Sequence, residues 1–235
     1  AGAGAEASRD ISARVAISNN LGHCYRIQGD FERSLDCYTR ALQDAREASS
    51  VRQECLALEF AGELLTEAGS HDLAMDYIAR AHRLATQLAP QGDLMMEVLR
   101  RRGELHAAMG RVTDAAADLE RAIQLCESRG ELREKVLAGR ALILVRRDRN
   151  GFEESVVRVL EALKEMGDRF EFLRTIHMVL KGDRNELLEK PWFHEAVVVA
   201  TYFADSLGVE YWRQRLREVA GHVRAVVPRA TQACG

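Results

Sequence analysis

Residues 20–42 read Asn20-Leu21-Gly22-His23-Cys24-Tyr25-Arg26-Ile27-Gln28-Gly29-Asp30-Phe31-Glu32-Arg33-Ser34-Leu35-Asp36-Cys37-Tyr38-Thr39-Arg40-Ala41-Leu42. The small residues in this stretch return later at fixed distances. Ser34 returns as Ala74, Ala115 and Ser155, with gaps of 40, 41 and 40 residues. Ala41 returns as Ala81, Ala122 and Ala162. Gly22 returns as Gly62 and Gly103, and the fourth block breaks the pattern with Ile143. Gly29 returns as Gly69 and Gly110, then Asn150. Self-similarity at such a period means stacked repeats, each burying its apolar face against the next.

Local chemistry makes each repeat a helix pair. Gly22 and Ser34 are small where two helices must approach closely. Gly29 can take the left-handed backbone that ends the first helix, and Asp30 can cap the second. Tyr25, Phe31 and Tyr38 fill the space the small residues leave. Ala41 is small again and admits the next repeat.

The block Leu21-Gly22-x-x-Tyr25 followed by Ser34-x-x-x-Tyr38-x-x-Ala41 resembles the tetratricopeptide repeat, or TPR. The resemblance covers about residues 11–166. It weakens along the chain: Arg102 and His106 stand where Leu and Tyr are usual in the third block, and Arg146 takes the aromatic position in the fourth. The period exceeds the usual ~34 residues. The usual Pro after the second helix is replaced by Arg46, Thr86, Glu127 and Gly167, so the second helix can run on. Long-period repeats of this kind resemble those of bacterial transcription regulators, such as the effector-sensing arm of the maltose activator, and those attached to enhancer-binding AAA+ activators.

The resemblance implies an all-α protein: a right-handed α-solenoid of TPR helix hairpins with a C-terminal helical cap. The expected organisation is a disordered tail or cloning remnant at 1–10, four repeats at 11–166 and capping helices at 167–235. Phe170–Leu180 reads as one helix and Lys181–Asp183 as a turn. Pro191 suits the first position of a helix running to Leu207, with Gly208 as its stop. The run from Ala196 to Phe203 is apolar on nearly every side and should be buried. From Val209 a last helix aligns Trp212, Leu216, Val219, Val223 and Val226 in one stripe. That stripe reads as a cap on the solenoid's open end. The alternatives are a homodimer seam or a rigid lead into a following domain through the same helix, and a basic amphipathic helix for a membrane surface.

Composition narrows function. The chain has 235 residues and a net charge of −3, which argues against direct binding of nucleic acid by this domain. The five cysteines, Cys24, Cys37, Cys55, Cys126 and Cys234, contain no C-x-x-C pair. They read as reduced thiols in a cytoplasmic protein. No signal peptide is visible, and the longest apolar run is about half a membrane span, so no membrane role is expected. The histidines show no metal-ligand spacing, and His194-Glu195 lacks the second histidine of a zinc-protease motif. There is no phosphate-binding glycine loop and no G-x-S-x-G. No catalysis and no cofactor are expected.

The candidate site is the groove lined by the first helix of each repeat, as the TPR resemblance implies. Its inner positions are Asn19, His23, Arg26, Glu59, Glu63, Arg100, Glu104, Arg140 and Arg147. As a set they are polar and of mixed sign, acidic in the second repeat and basic in the third and fourth. Such residues are expected to be solvated, so that reversing Arg100, Arg140 and Arg147 would spare folding. Chaperone-binding relatives hold a peptide carboxylate with Lys and Asn at these positions; Glu59 and Glu63 stand against that clamp here. The expected partner is a protein or peptide, or a small effector. The expected role is the sensing or interaction domain of a bacterial transcription regulator; a free-standing adaptor or chaperone-like protein is the alternative.

Overall fold

The computed structural model describes residues 2–146, 151–180, 187 and 189–217. The chain divides into two compact units, Ala1–Arg146 and Arg147–Gly235. Among the described residues there are helices and no strand.

The first unit holds α1 (Gly2–Ile27), α2 (Phe31–Glu47), α3 (Val51–Glu67), α4 (His71–Leu88), α5 (Asp93–Ala108), α6 (Val112–Arg129) and α7 (Leu132–Val145). α1, α3 and α5 each pair with the even helix that follows, and α2, α4 and α6 each pack on the next odd one. α1, α3, α5 and α7 also lie side by side, each touching the next. They form one continuous face, with α2, α4 and α6 behind it.

The turns are built as the spacing predicts. Gly29, Gly69 and Gly110 have φ of 79°, 78° and 75°, a left-handed backbone that glycine adopts without strain. The amides of Asp30, Ser70 and Arg111 then reach back to the carbonyls of Tyr25, Leu65 and His106 at 2.8–2.9 Å, closing each helix in a Schellman-type cap. Asp30 caps α2 by accepting a hydrogen bond from the Arg33 amide.

The close approach within each pair is direct. Ser34 Oγ donates to the Gly22 carbonyl at 2.8 Å. A Cβ on Gly22 would lie 2.5 Å from Tyr38; on Gly62, 2.5 Å from Ile78; on Gly103, 2.6 Å from Leu119. The glycine and the large residue sixteen positions on thus form one packing unit, repeated three times. In the fourth block a branched side chain, Ile143, replaces the glycine, and such a side chain cannot occupy a gap of that size. The first unit ends three residues later, at Arg146, inside the fourth block. The repeat spacing predicts the boundary after 166, twenty residues further on. α1 begins at Gly2, so it takes in most of the segment expected as a tail.

The second unit holds α8 (Phe152–Glu165), α9 (Arg169–Leu180) and α10 (Pro191–Leu207), followed by a helical segment at 210–217. Pro191 opens α10 and Gly208, with φ 67°, closes it. Phe172 meets Phe203 edge to face, with ring centroids 5.2 Å apart. Trp212 and Leu216 are buried, and Trp212 stands against Phe170 and His177 of α9. The expected stripe is therefore covered within the chain at its first two members. Val219, Val223 and Val226 lie outside the described residues, as does the turn at Lys181–Asp183. The apolar run of α10 is only partly buried: Ala196, Val197, Ala200 and Phe203 are inside, while Val198 and Tyr202 are exposed.

Candidate functional site

The face made by α1, α3, α5 and α7 brings the predicted inner residues together, but it buries them. Asn19, Arg26, Glu59, Glu63, Arg100, Glu104 and Arg140 are all buried, and His23 is half-buried. Arg147 lies outside the described residues. The expectation of solvated groove residues is overturned at these positions. Parallel helices one repeat apart bring the same positions against each other, so their side chains meet across the helix–helix seams and exclude water.

The seams are joined by a ladder of ion pairs. From α1, Arg26 donates to Glu63 of α3 at 2.9 Å and to both oxygens of Glu67 at 2.6 and 2.8 Å. From α5, Arg101 Nε donates to the other oxygen of Glu63 at 2.9 Å. Arg101 also lies 3.5 Å from Glu59 and 3.3 Å from Glu97. Arg100 donates to Glu104 at 3.1 Å and to Glu134 of α7 at 2.8 Å. Arg140 of α7 donates to Glu104 at 3.2 Å. Arginines of the first and third repeats meet the acidic second repeat, whereas at the seam of α5 and α7 each helix carries both signs, Arg100 pairing with Glu134 and Arg140 with Glu104.

Burial pushes the Glu59 carboxyl well above the usual carboxylate range; Arg101 opposes this and Glu97 reinforces it. Neither Glu59 oxygen accepts a hydrogen bond, although Arg101 stands 3.5 Å away. Burial also works against the Glu134 carboxylate, but Arg100 and Arg101 outweigh it and hold its pKa below the usual value. Burial and the neighbouring Arg26 lower His23 to about 4, so its ring is neutral at physiological pH. That ring lies 3.1 Å from the Tyr38 hydroxyl and edge-on to Phe60. Arg101 in turn stacks over Phe60.

Sequence reasoning missed Arg101, Glu67, Glu97 and Glu134. The run Arg100-Arg101-Arg102, flanked on the same helix by Glu97 and Glu104, was the available signal. Its third member explains a departure from the repeat pattern. Arg102 Nε donates to Asp118 at 2.7 Å, and His106 Nδ1 lies 3.3 Å from the same carboxylate. A polar cluster thus fills the place that Leu and Tyr take in the first block.

Among the described residues, no group of three His, Cys, Asp or Glu side chains is arranged to hold a metal ion. No described helix is long and apolar enough to cross a membrane.

The chain matches the model of the MalT-like TPR region over residues 7–181. No curated protein matches it in sequence. Among solved structures it is similar to a Rap protein complexed with competence and sporulation factor, with a TM-score of 0.61 and 15% identity. That similarity covers 92% of this chain and 66% of the Rap chain, so this sequence spans just under two thirds of that protein's length. It is also similar to a Podosopora anserina chain of nearly identical TPR-like repeats described as a kinesin light chain, with a TM-score of 0.50 and 13% identity, covering 92% of this chain and 96% of that one. At these identities the likeness is one of fold.

Proposed function

The chain belongs to the MalT-like TPR region family, and on that premise we propose that it is a non-catalytic scaffold that binds a protein or peptide partner along the face of α1, α3, α5 and α7. The carrying observation is the ladder. It locks four adjacent helices into one face, so little ordering cost remains to be met when a partner docks. The similar Rap protein, solved with a factor bound, supports the reading that this fold serves as a receptor for another molecule. In this proposal the scaffold is the sensing or interaction part of a bacterial transcription regulator in the cytoplasm. Buried arginines and glutamates supply rigidity, and contact falls to exposed neighbours on the same face. Asn20 is one of these: it is exposed and holds the register position of Phe60 and Arg101.

Photocrosslinking tests this. A photoreactive residue at Asn20 should capture the natural partner, and one at Asp36, exposed on α2, should not. Capture from Asp36 and not from Asn20 would move the contact to the outer helices and overturn the proposal.

A further inference from the structure

One nitrogen of Arg101 serves two carboxyl groups. Nη1 lies 3.5 Å from Glu59 Oε1 of α3 and 3.3 Å from Glu97 Oε2, one turn earlier on α5. The Nε of the same guanidinium donates to Glu63 at 2.9 Å. The two carboxyls differ in their access to water: Glu59 is 0% exposed and Glu97 24%. Both lie in the middle of the first unit, where α3 has α1, α2, α4 and α5 packed against it. These helices and α7 set the charges around Glu59, directly or through Glu63 and Arg101. α3 itself supplies Cys55 and Glu63. The Cys55 thiol donates to the Ala81 carbonyl of α4 at 3.4 Å, and burial pushes its pKa up to about 12. α1 brings Arg26 and His23 towards Glu63, and burial lowers His23 to about 4. α2 brings Tyr38, whose pKa burial raises. α5 supplies Glu97, Arg100 and Arg101, and α7 supplies Glu134, which Arg100 and Arg101 hold ionised. Between about pH 6 and 10 the His23 ring therefore stays neutral and the Cys55 and Tyr38 side chains keep their protons. Glu59 is the group among these whose proton is lost late for its kind.

We propose that Glu59 and Glu97 exchange places on Arg101 Nη1 under the control of one proton, a switch built into the seam of α3 and α5. With Glu59 neutral, Glu97 takes the larger share of Nη1. When Glu59 gives its proton to water, its charge is sealed from solvent. An uncompensated buried charge is strongly unfavourable, and Arg101 is the cation within reach, 3.5 Å away. Glu97 is then repelled by the new charge. It is also partly open to water, where an ion pair is worth little, so it is the partner that leaves. The opposite outcome fails on geometry, because a fully buried Glu59 reaches water only if the helices part. The result is a carboxylate turned out on the inner face of α5. Arg101 still bridges α3 and α5 through Glu63, so the seam stays closed while the charge presented by the face changes.

Two readouts on the intact chain test this. The first is NMR of protein labelled with ¹³C at the glutamate carboxyls, titrated from about pH 5 to 10, with Glu59→Gln and Glu97→Gln assigning the two resonances. Glu59 should lose its proton in one step inside that range, and the Glu97 resonance should shift at the same midpoint. In Glu59→Gln the Glu97 shift should vanish. The second readout separates movement from a field felt at a distance. Glu97→Gln should lower the urea midpoint on the acid side of the Glu59 step and not on the alkaline side, because there Glu97 no longer holds Arg101. In the Glu59→Gln background the same change should lower the midpoint equally on both sides. A Glu59 that keeps its proton to about pH 10, a Glu97 resonance that ignores the Glu59 step, or an equal loss from Glu97→Gln on both sides in the parent would each overturn the proposal. No partner is present in either measurement, so the switch stands or falls apart from any binding to the inner face.

Discussion

Arg26 Nη2 of α1 lies 2.9 Å from Glu63 Oε1 of α3, and each side chain is only 4% exposed. Arg101 of α5 holds the other oxygen of the same carboxylate. One glutamate thus ties three successive repeats together. Its removal leaves two buried guanidiniums short of a partner, and breaking a buried pair from one side usually costs about 3–5 kcal/mol. Glu63→Ala should therefore lower unfolding free energy by about 3 kcal/mol in urea titrations. A loss below about 1 kcal/mol would mean that the pairs are solvated in solution.

Glu59 has a folded pKa above its unfolded one, so the stability it contributes is fully present below the unfolded pKa and is lost as pH rises through the folded value. Glu59→Gln removes that dependence. The variant should gain on the parent as pH is raised from about 4 to 8, because burial disfavours the Glu59 charge more than Arg101, 3.5 Å away, favours it. His23 has the opposite sign. Its pKa is lowered from 6.5 to about 4, so its contribution is present above pH 6.5 and is lost as pH falls towards 4. His23→Gln should flatten the acid limb of the stability profile over that window. Denaturant midpoints across pH for the two variants check both slopes.

Two glycines make a matched pair. A Cβ at Gly62 would meet Ile78 Cγ1 at 2.5 Å, whereas one at Gly139 would meet nothing within 4 Å. Gly62→Ala should destabilise by roughly 1–3 kcal/mol through overpacking. Gly139→Ala should instead stabilise α7 by up to about 1 kcal/mol, the helix propensity difference. Equal effects at the two sites would contradict the close helix approach assigned to Gly62.

Leu216 tests the C-terminal stripe. It is 4% exposed, and Trp212 beside it is 5% exposed. Leu216→Glu puts a charge into that packing and should lower the melting temperature clearly, with a loss of at least about 3 kcal/mol. A stable variant whose only change is from dimer to monomer would make the stripe a seam between copies.

The repeat register was legible because it rests on steric limits that sequence states directly. Gly22 is small since Tyr38 crosses it, and Gly29 is glycine because its φ is 79°. The inner-face positions were legible for the same reason, as they follow from the register. Their burial was not. Whether Arg100 meets water or Glu134 depends on the neighbouring helix, whose distance no single-repeat pattern records. The early end of the first unit had one sign in the sequence, Ile143 in place of a glycine. The exposure of Val198 and Tyr202 had none, because a run apolar on every side does not say which side is covered.

The proposed function has partners bind the face of α1, α3, α5 and α7. Ala16 and Asn20 are exposed and hold the register positions of Glu97 and Arg101 on that face. Asp36 and Arg40 are exposed on α2. The decisive measurement is the Kd of the captured partner for two double variants, Ala16→Trp with Asn20→Trp, and Asp36→Trp with Arg40→Trp, both checked by melting for intact folding. The first should weaken binding at least about tenfold, or about 1.4 kcal/mol, and the second should leave it unchanged. Weakened binding in the α2 variant with unchanged binding in the α1 variant would contradict the claim.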